Sequence, residues 1–115
     1  MSKSPILELV DIIDQNRWQD LSTVLAPDCV IERPGSEPLV GLERIERFYR
    51  EERPIVSGLH KLDQVVADSE AGACWGTFSG TTKDGGSVEA RFADTFTLKA
   101  GLITRRTTYV HGKGH

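Results

Sequence analysis

Asp94 stands on the apolar side of a strand, and an apolar strand face is an expensive place for a carboxyl group. In the stretch ARFADTFTL, read with period two, one face carries Ala90, Phe92, Asp94, Phe96 and Leu98. The other carries Arg91, Ala93, Thr95, Thr97 and Lys99. An ionised carboxylate on the first face needs a partner, and without one it takes a proton. Apolar burial would raise its pKa and make it an acid; an adjacent arginine would lower it and make it half of an ion pair. Arg106, in the next apolar run, is the candidate partner, or else a cation that receives a carboxylate, phenolate or enolate of a ligand.

The elements that must position these groups follow from periodicity and turn chemistry. Ser4 suits a helix N-cap and Pro5 a first helical position, with Ile6, Leu9, Val10 and Ile13 on one face. A short second helix is expected near Trp18, Leu21, Val24 and Leu25, ending before Pro27. Cys29 to Glu32 reads as a strand and RPGSEP, Arg33 to Pro38, as a loop. Leu42 to about Glu52 is the clearest helix: Leu42, Ile45, Phe48 and Tyr49 share a face, and Glu43/Arg47 and Glu46/Arg50 pair on the wet side. From Leu59 onward four β-runs follow. A two-residue turn at Asp84-Gly85 and a three-residue turn at Lys99-Ala100-Gly101 join the last three. Those loops would place Asp94 between Trp75 and Arg106 on one face, with Thr77 and Thr108 nearby. Helices first and an antiparallel meander afterwards make an α+β chain, with the helices covering one face of a curved sheet.

Composition narrows the classes of function. The 115 residues make one domain, 1–115, with 111–115 expected as a frayed tail holding His111 and His115. With 14 basic and 17 acidic residues the net charge is -3, so no basic stripe invites nucleic acid or an anionic membrane. No apolar run spans a bilayer, and MSKSPILELVDIID lacks the uninterrupted apolar region of a signal peptide. Cys29 and Cys74 lack metal-like spacing and read as small core residues of a cytoplasmic protein. No metal or cofactor is expected: the histidines form no cluster, and His60, at the start of a strand, could line a pocket or be a lone structural or exposed side chain.

Two stretches carry a resemblance: CVIERPGSEPLVG, Cys29 to Gly41, followed by a helix ending RFY, and FADTFTLKAGLITRR, Phe92 to Arg106. With the order of elements they resemble the nuclear-transport-factor-two-like fold, and within it the ketosteroid isomerases and SnoaL-type polyketide cyclases. The resemblance implies a cone-shaped, strongly curved antiparallel sheet wrapped by about three N-terminal helices. It also implies one deep apolar pocket and, often, a homodimer through the sheet. Asp94 matches the isomerases' protonated aspartic acid. Their catalytic base falls at Arg33, which cannot act as a base, and their tyrosine falls near Leu9, so steroid isomerisation is not expected. The Asp-Arg-Asp arrangement of limonene epoxide hydrolases has no counterpart in CWGTFSG. A cyclase-like proton transfer needs a single pocket carboxyl, and Asp94 is the candidate catalytic residue.

Trp18, Phe48 and Tyr49 have helical core spacing and, on this fold, would also be pocket wall. Glu32 and Arg33 would stand at the pocket mouth or on the surface, and Trp75, Thr77, Phe92, Arg106 and Thr108 would surround Asp94 as substrate-binding residues. Two functions stay open: a small acid-base enzyme acting on a hydrophobic carbonyl compound, or a non-catalytic ligand-binding or dimerising domain in which Asp94 pairs with Arg106.

Overall fold

The computed structural model describes residues 4–112. Helix α1, Pro5–Asp14, starts where Ser4 Oγ accepts the Ile6 backbone N–H, and it buries Ile6, Leu9, Val10, Ile12 and Ile13. A 3-10 helix, Trp18–Thr23, leads into strand β1, Leu25–Glu32, which is longer than the expected strand. A two-residue strand β2, Leu39–Val40, precedes helix α2, Leu42–Arg47, and α2 widens into a π-helical turn over Phe48–Glu52. Strands β3, Ile55–Ala67, β4, Ala71–Thr82, β5, Ser87–Lys99, and β6, Leu102–Gly112, complete the chain. His111 belongs to β6 rather than to a tail, and His115 lies outside the described residues. On the wet side of α2, Arg50 pairs with Glu46 as expected, but Arg47 reaches Glu52 instead of Glu43.

The six strands form one curved, unclosed sheet in the order β2-β1-β6-β5-β4-β3. Its pairings are antiparallel except β1 with β6, which run parallel with Ile31 opposite Arg106. The helices pack into the concave side, where Ile6, Leu9, Ile12, Ile45, Phe48 and Tyr49 meet Cys74, Phe92, Phe96 and Ile103. Curvature has a local cause at the bulge between Leu62 and Gln64 in β3. Gly76 sits across from it, where a Cβ would run into the Lys61 carbonyl oxygen. That close approach admits only glycine.

Both hairpins differ from expectation, in opposite ways. Ala100 and Gly101 take φ of 54° and 82°, a two-residue turn of the I′ kind, with Lys99 opposite Leu102. At the other hairpin Gly85 alone of the turn residues goes left-handed, at φ 88°, and Thr82 pairs with Gly86 around three residues. Thr82 Oγ1 and Asp84 Oδ1 lie within hydrogen-bond distance of the Gly86 N–H at 3.0 and 3.1 Å and bond each other, which fixes the longer loop.

The second difference slips β4 by one residue. Cys74, not Trp75, lies opposite Asp94, and Trp75 lies opposite Ala93 on the convex face. Trp75 and Thr77 therefore do not flank Asp94. In β6, a register shift beside Leu98 compensates for the shorter turn, so Arg106 stays on the concave face. It is diagonal to Asp94 rather than opposite, and Thr108 takes the opposite position.

Candidate functional site

Asp94 has no solvent exposure. Arg106 Nη2 donates to its Oδ2 at 3.0 Å, and Thr108 Oγ1 donates to its Oδ1 at 2.6 Å. Arg106 is itself buried, and its Nη1 donates at 3.0 Å to the hydroxyl oxygen of Tyr49. Burial alone would lower the Arg106 pKa. The attraction of Asp94, then of Tyr49, outweighs burial and holds this guanidinium above its ordinary value. The sequence left two outcomes open for Asp94, and the geometry is that of the ion pair. Because the Tyr49 oxygen accepts from a cation, its own O–H is left to donate elsewhere.

Tyr49 stacks on Trp18 with ring centroids 4.9 Å apart and meets the edge of Phe48 at 5.2 Å. The π-helical turn that carries Phe48 and Tyr49 also brings in Arg53, whose backbone N–H donates to the Phe48 carbonyl across five residues at 2.8 Å. Such widened turns cluster at functional sites. The Arg53 guanidinium lies 5.6 Å from the Trp18 ring and 5.5 Å from the Tyr49 ring. Burial lowers its pKa, offset in part by Tyr49 and Asp14. Arg33 similarly covers the Phe48 ring at 4.1 Å.

A second polar pair lies on the other side of the concave surface. Asp14, at the end of α1, accepts the backbone N–H of His60 at 3.0 Å on Oδ2 and binds His60 Nδ1 at 2.6 Å on Oδ1. Their side chains are 10% and 8% exposed. The His60 ring packs against Phe78 and Phe92 at 4.7 and 5.1 Å. In the neutral tautomer that gives Nδ1–H to the carboxylate, Nε2 would carry the lone pair, the arrangement of an oriented general base.

These contacts form a chain. From Arg53 they pass through Trp18 and Tyr49 to Arg106 and Asp94, along β5 to Phe92, and on to His60 and Asp14. Of the expected site residues, the structure brings together Trp18, Phe48, Tyr49, Phe92, Asp94, Arg106 and Thr108, with Arg33 at the edge. Glu32 instead pairs with Arg105 at 2.8 Å and accepts from Thr107 Oγ1, which lowers its pKa. Arg53 and Asp14 were not legible as site residues, and His60 was legible only as a side chain that could line a pocket. Their one sequence signal was a charged or polar side chain at each end of an apolar run.

Two of the surface depressions lie away from Asp94. One of about 300 Å³ lies by Trp75, Arg91, Ala93 and Tyr109; the other, of about 580 Å³, lies by Glu70, Leu98 and Lys99. Cys29 and Cys74 are free thiols whose pKa burial pushes up to about 11. Among the described residues, no three His, Cys, Asp or Glu side chains could hold a metal ion. None of the helices there is long and apolar enough to cross a membrane.

Comparison with known proteins bears on the family and the fold. The family model described as the SnoaL-like domain matches residues 6–106. The fold is similar to that of a nuclear-transport-factor-two-like protein of unknown function from Burkholderia pseudomallei. That likeness has a TM-score of 0.84 at 17% identity, over 96% of this chain and 92% of that one. An epoxide hydrolase of the limonene-epoxide-hydrolase-like kind from M. tuberculosis is similar with a TM-score of 0.81 at 19% identity, over 93% and 80% of the two chains. A protein of ketosteroid isomerase-like fold from Catenulispora acidiphila, solved with trimethylamine, is similar with a TM-score of 0.81. Its identity is 13%, over 95% of this chain and 86% of that one. Among curated protein sequences, none matches.

Proposed function

We propose that this chain, which belongs to the SnoaL-like domain family, binds a hydrophobic carbonyl compound against the concave surface and moves a proton on it. The observation that carries this reading is Arg106, a buried cation that holds Asp94 with one nitrogen and Tyr49 with another. In this reading the Tyr49 O–H donates to the ligand's carbonyl oxygen. Negative charge that develops there is met by a hydroxyl whose oxygen already accepts from a guanidinium. Asp94 handles the proton balance indirectly, as the counter-charge of Arg106, because both of its oxygens are engaged. His60, oriented by Asp14, is the group that takes the proton from carbon.

The test is hydrogen exchange. Hydrophobic ketones that shift Trp18 fluorescence are incubated with the protein in heavy water, and loss of their α-proton signals is followed by NMR. Exchange is expected, and Tyr49→Phe slows it about 100–1,000-fold, the usual weight of one such donor. A ketone that binds yet never exchanges supports a second reading, a ligand-binding domain without chemistry. The full engagement of Asp94 favours that reading.

We also propose a pairing of two copies through the sheet. Its support is the convex face, where Arg91, Thr95, Thr97 and Thr107 lie beside exposed Trp75 and Tyr109, which are 38% and 56% exposed. Sedimentation equilibrium should return twice the chain mass. The mass of a single chain at tens of micromolar would remove this proposal.

A further inference from the structure

The chain has nine arginines, and seven of them reach a carboxylate: Arg17, Arg44, Arg47, Arg50, Arg91, Arg105 and Arg106. Among the described residues Arg33 and Arg53 do not, and both lie on the same aromatic row, Phe48, Tyr49 and Trp18. Arg53 is 9% exposed and, among the described residues, its guanidinium has neither an ion pair nor a hydrogen bond; the fully buried unpartnered nitrogen on this row is Arg33 Nε. A guanidinium always carries its charge and five donors at neutral pH, and shielding most of it from water without acceptors is costly. Ring faces return only part of that cost. The pull of Asp14 is one the carboxylate already divides with two bonds to His60.

We propose that Arg53 receives the negative charge of the ligand, so that the concave surface takes a planar, apolar organic anion such as an aromatic carboxylate, sulfonate or enolate. Stacked Trp18 and Tyr49 offer the ring face, Arg53 offers charge-assisted donors beside it, and Arg33 adds a second unpaired cation on the same row. A neutral ligand would leave both cations uncompensated, whereas an anion offsets them. This assignment of ligand class rests on the proposed function and narrows its substrate to compounds that carry a charge besides the carbonyl, or on it as an enolate.

The experiment uses two fluorescent probes that differ by one sulfonate: 8-anilino-1-naphthalenesulfonate and N-phenyl-1-naphthylamine. Apolar burial alone favours the neutral probe, so a preference for the sulfonate reports charge recognition. The wild-type protein is expected to bind the sulfonate roughly 10–100-fold more tightly, the weight of one or two hydrogen bonds to a charged group. Arg53→Met should erase that preference and leave the neutral probe's Kd within about twofold, while Arg53→Lys keeps part of it. Arg53→Gln serves if the methionine variant does not fold, and the wild-type comparison needs no variant. Equal affinity of the wild type for both probes overturns the proposal, as does a sulfonate preference that survives in Arg53→Met. A neutral probe bound without sulfonate preference overturns this inference alone. If neither probe binds, the concave-surface reading falls with it.

Discussion

Asp94→Asn should destabilise the protein by about 3–5 kcal/mol, the cost of removing one partner from a buried ion pair. The variant keeps the shape of the side chain and leaves an acceptor for Thr108. Among the described residues, what it removes is the one carboxylate bonded to Arg106, whose guanidinium then sits buried with Tyr49 as its remaining partner there. Its Nε already lacks a partner, so no spare acceptor stands by. With a urea m-value of about 1–3 kcal/mol/M, the unfolding midpoint falls by roughly 1–3 M. Asp94→Leu with Arg106→Met should recover most of the loss, because replacing both charges by apolar groups of similar volume is often neutral or stabilising. A single-variant loss below about 1 kcal/mol would mean that Arg106 finds compensation elsewhere, by water or by a shifted side chain. The double variant also separates stability from function: it folds, yet it has no cation behind the Tyr49 hydroxyl.

That ion pair was half legible from sequence, and the reason lies in two hairpins. The turn at Asp84-Gly85 has the residues of a two-residue loop, but Thr82 and Asp84 side chains hold the Gly86 N–H and extend it to three. The turn before Leu102 has residues that suit three, but Ala100 accepts a positive φ, and two suffice. An alanine there has a modest steric cost, which tertiary pairing overrides. Each error shifts a register by one. In β6 the register shift beside Leu98 cancels the error, so Asp94 and Arg106 remained on one face; in β4 nothing cancels it, and Trp75 and Thr77 turn outward. Local turn chemistry therefore decides which residues share a face, and side chains outside the strands decide the turn. Arg53 and the pairing of Asp14 with His60 were hidden for a different cause. Asp14 and His60 are 46 residues apart and meet only when the end of α1 packs on the start of β3. Arg53 is drawn inward by a π-helical turn that no periodicity of 3.6 residues foretells.

His60→Gln is the variant with the largest expected effect on turnover, a fall of about 100–10,000-fold in the rate of α-proton exchange with little change in ligand affinity. Glutamine preserves the side-chain volume and a donor for Asp14 but supplies no basic nitrogen. A purely structural role for the pair would show as lost stability and weakened binding in the same proportion. Two further readouts separate these cases. Exogenous imidazole should restore part of the exchange in His60→Ala, since the room left between Phe78 and Phe92 matches the ring that was removed. Asp14→Asn should slow exchange less than loss of the imidazole does, because it weakens the hold on Nδ1 while Nε2 remains. The order of these rates tests the assignment of roles: His60→Gln slowest, Asp14→Asn intermediate, wild type fastest. If His60→Gln exchanges at the wild-type rate, the base lies elsewhere. Exchange that then responds to Asp94→Asn at unchanged fold would return the proton to Asp94, with the Arg106 pair opening each time a ligand binds.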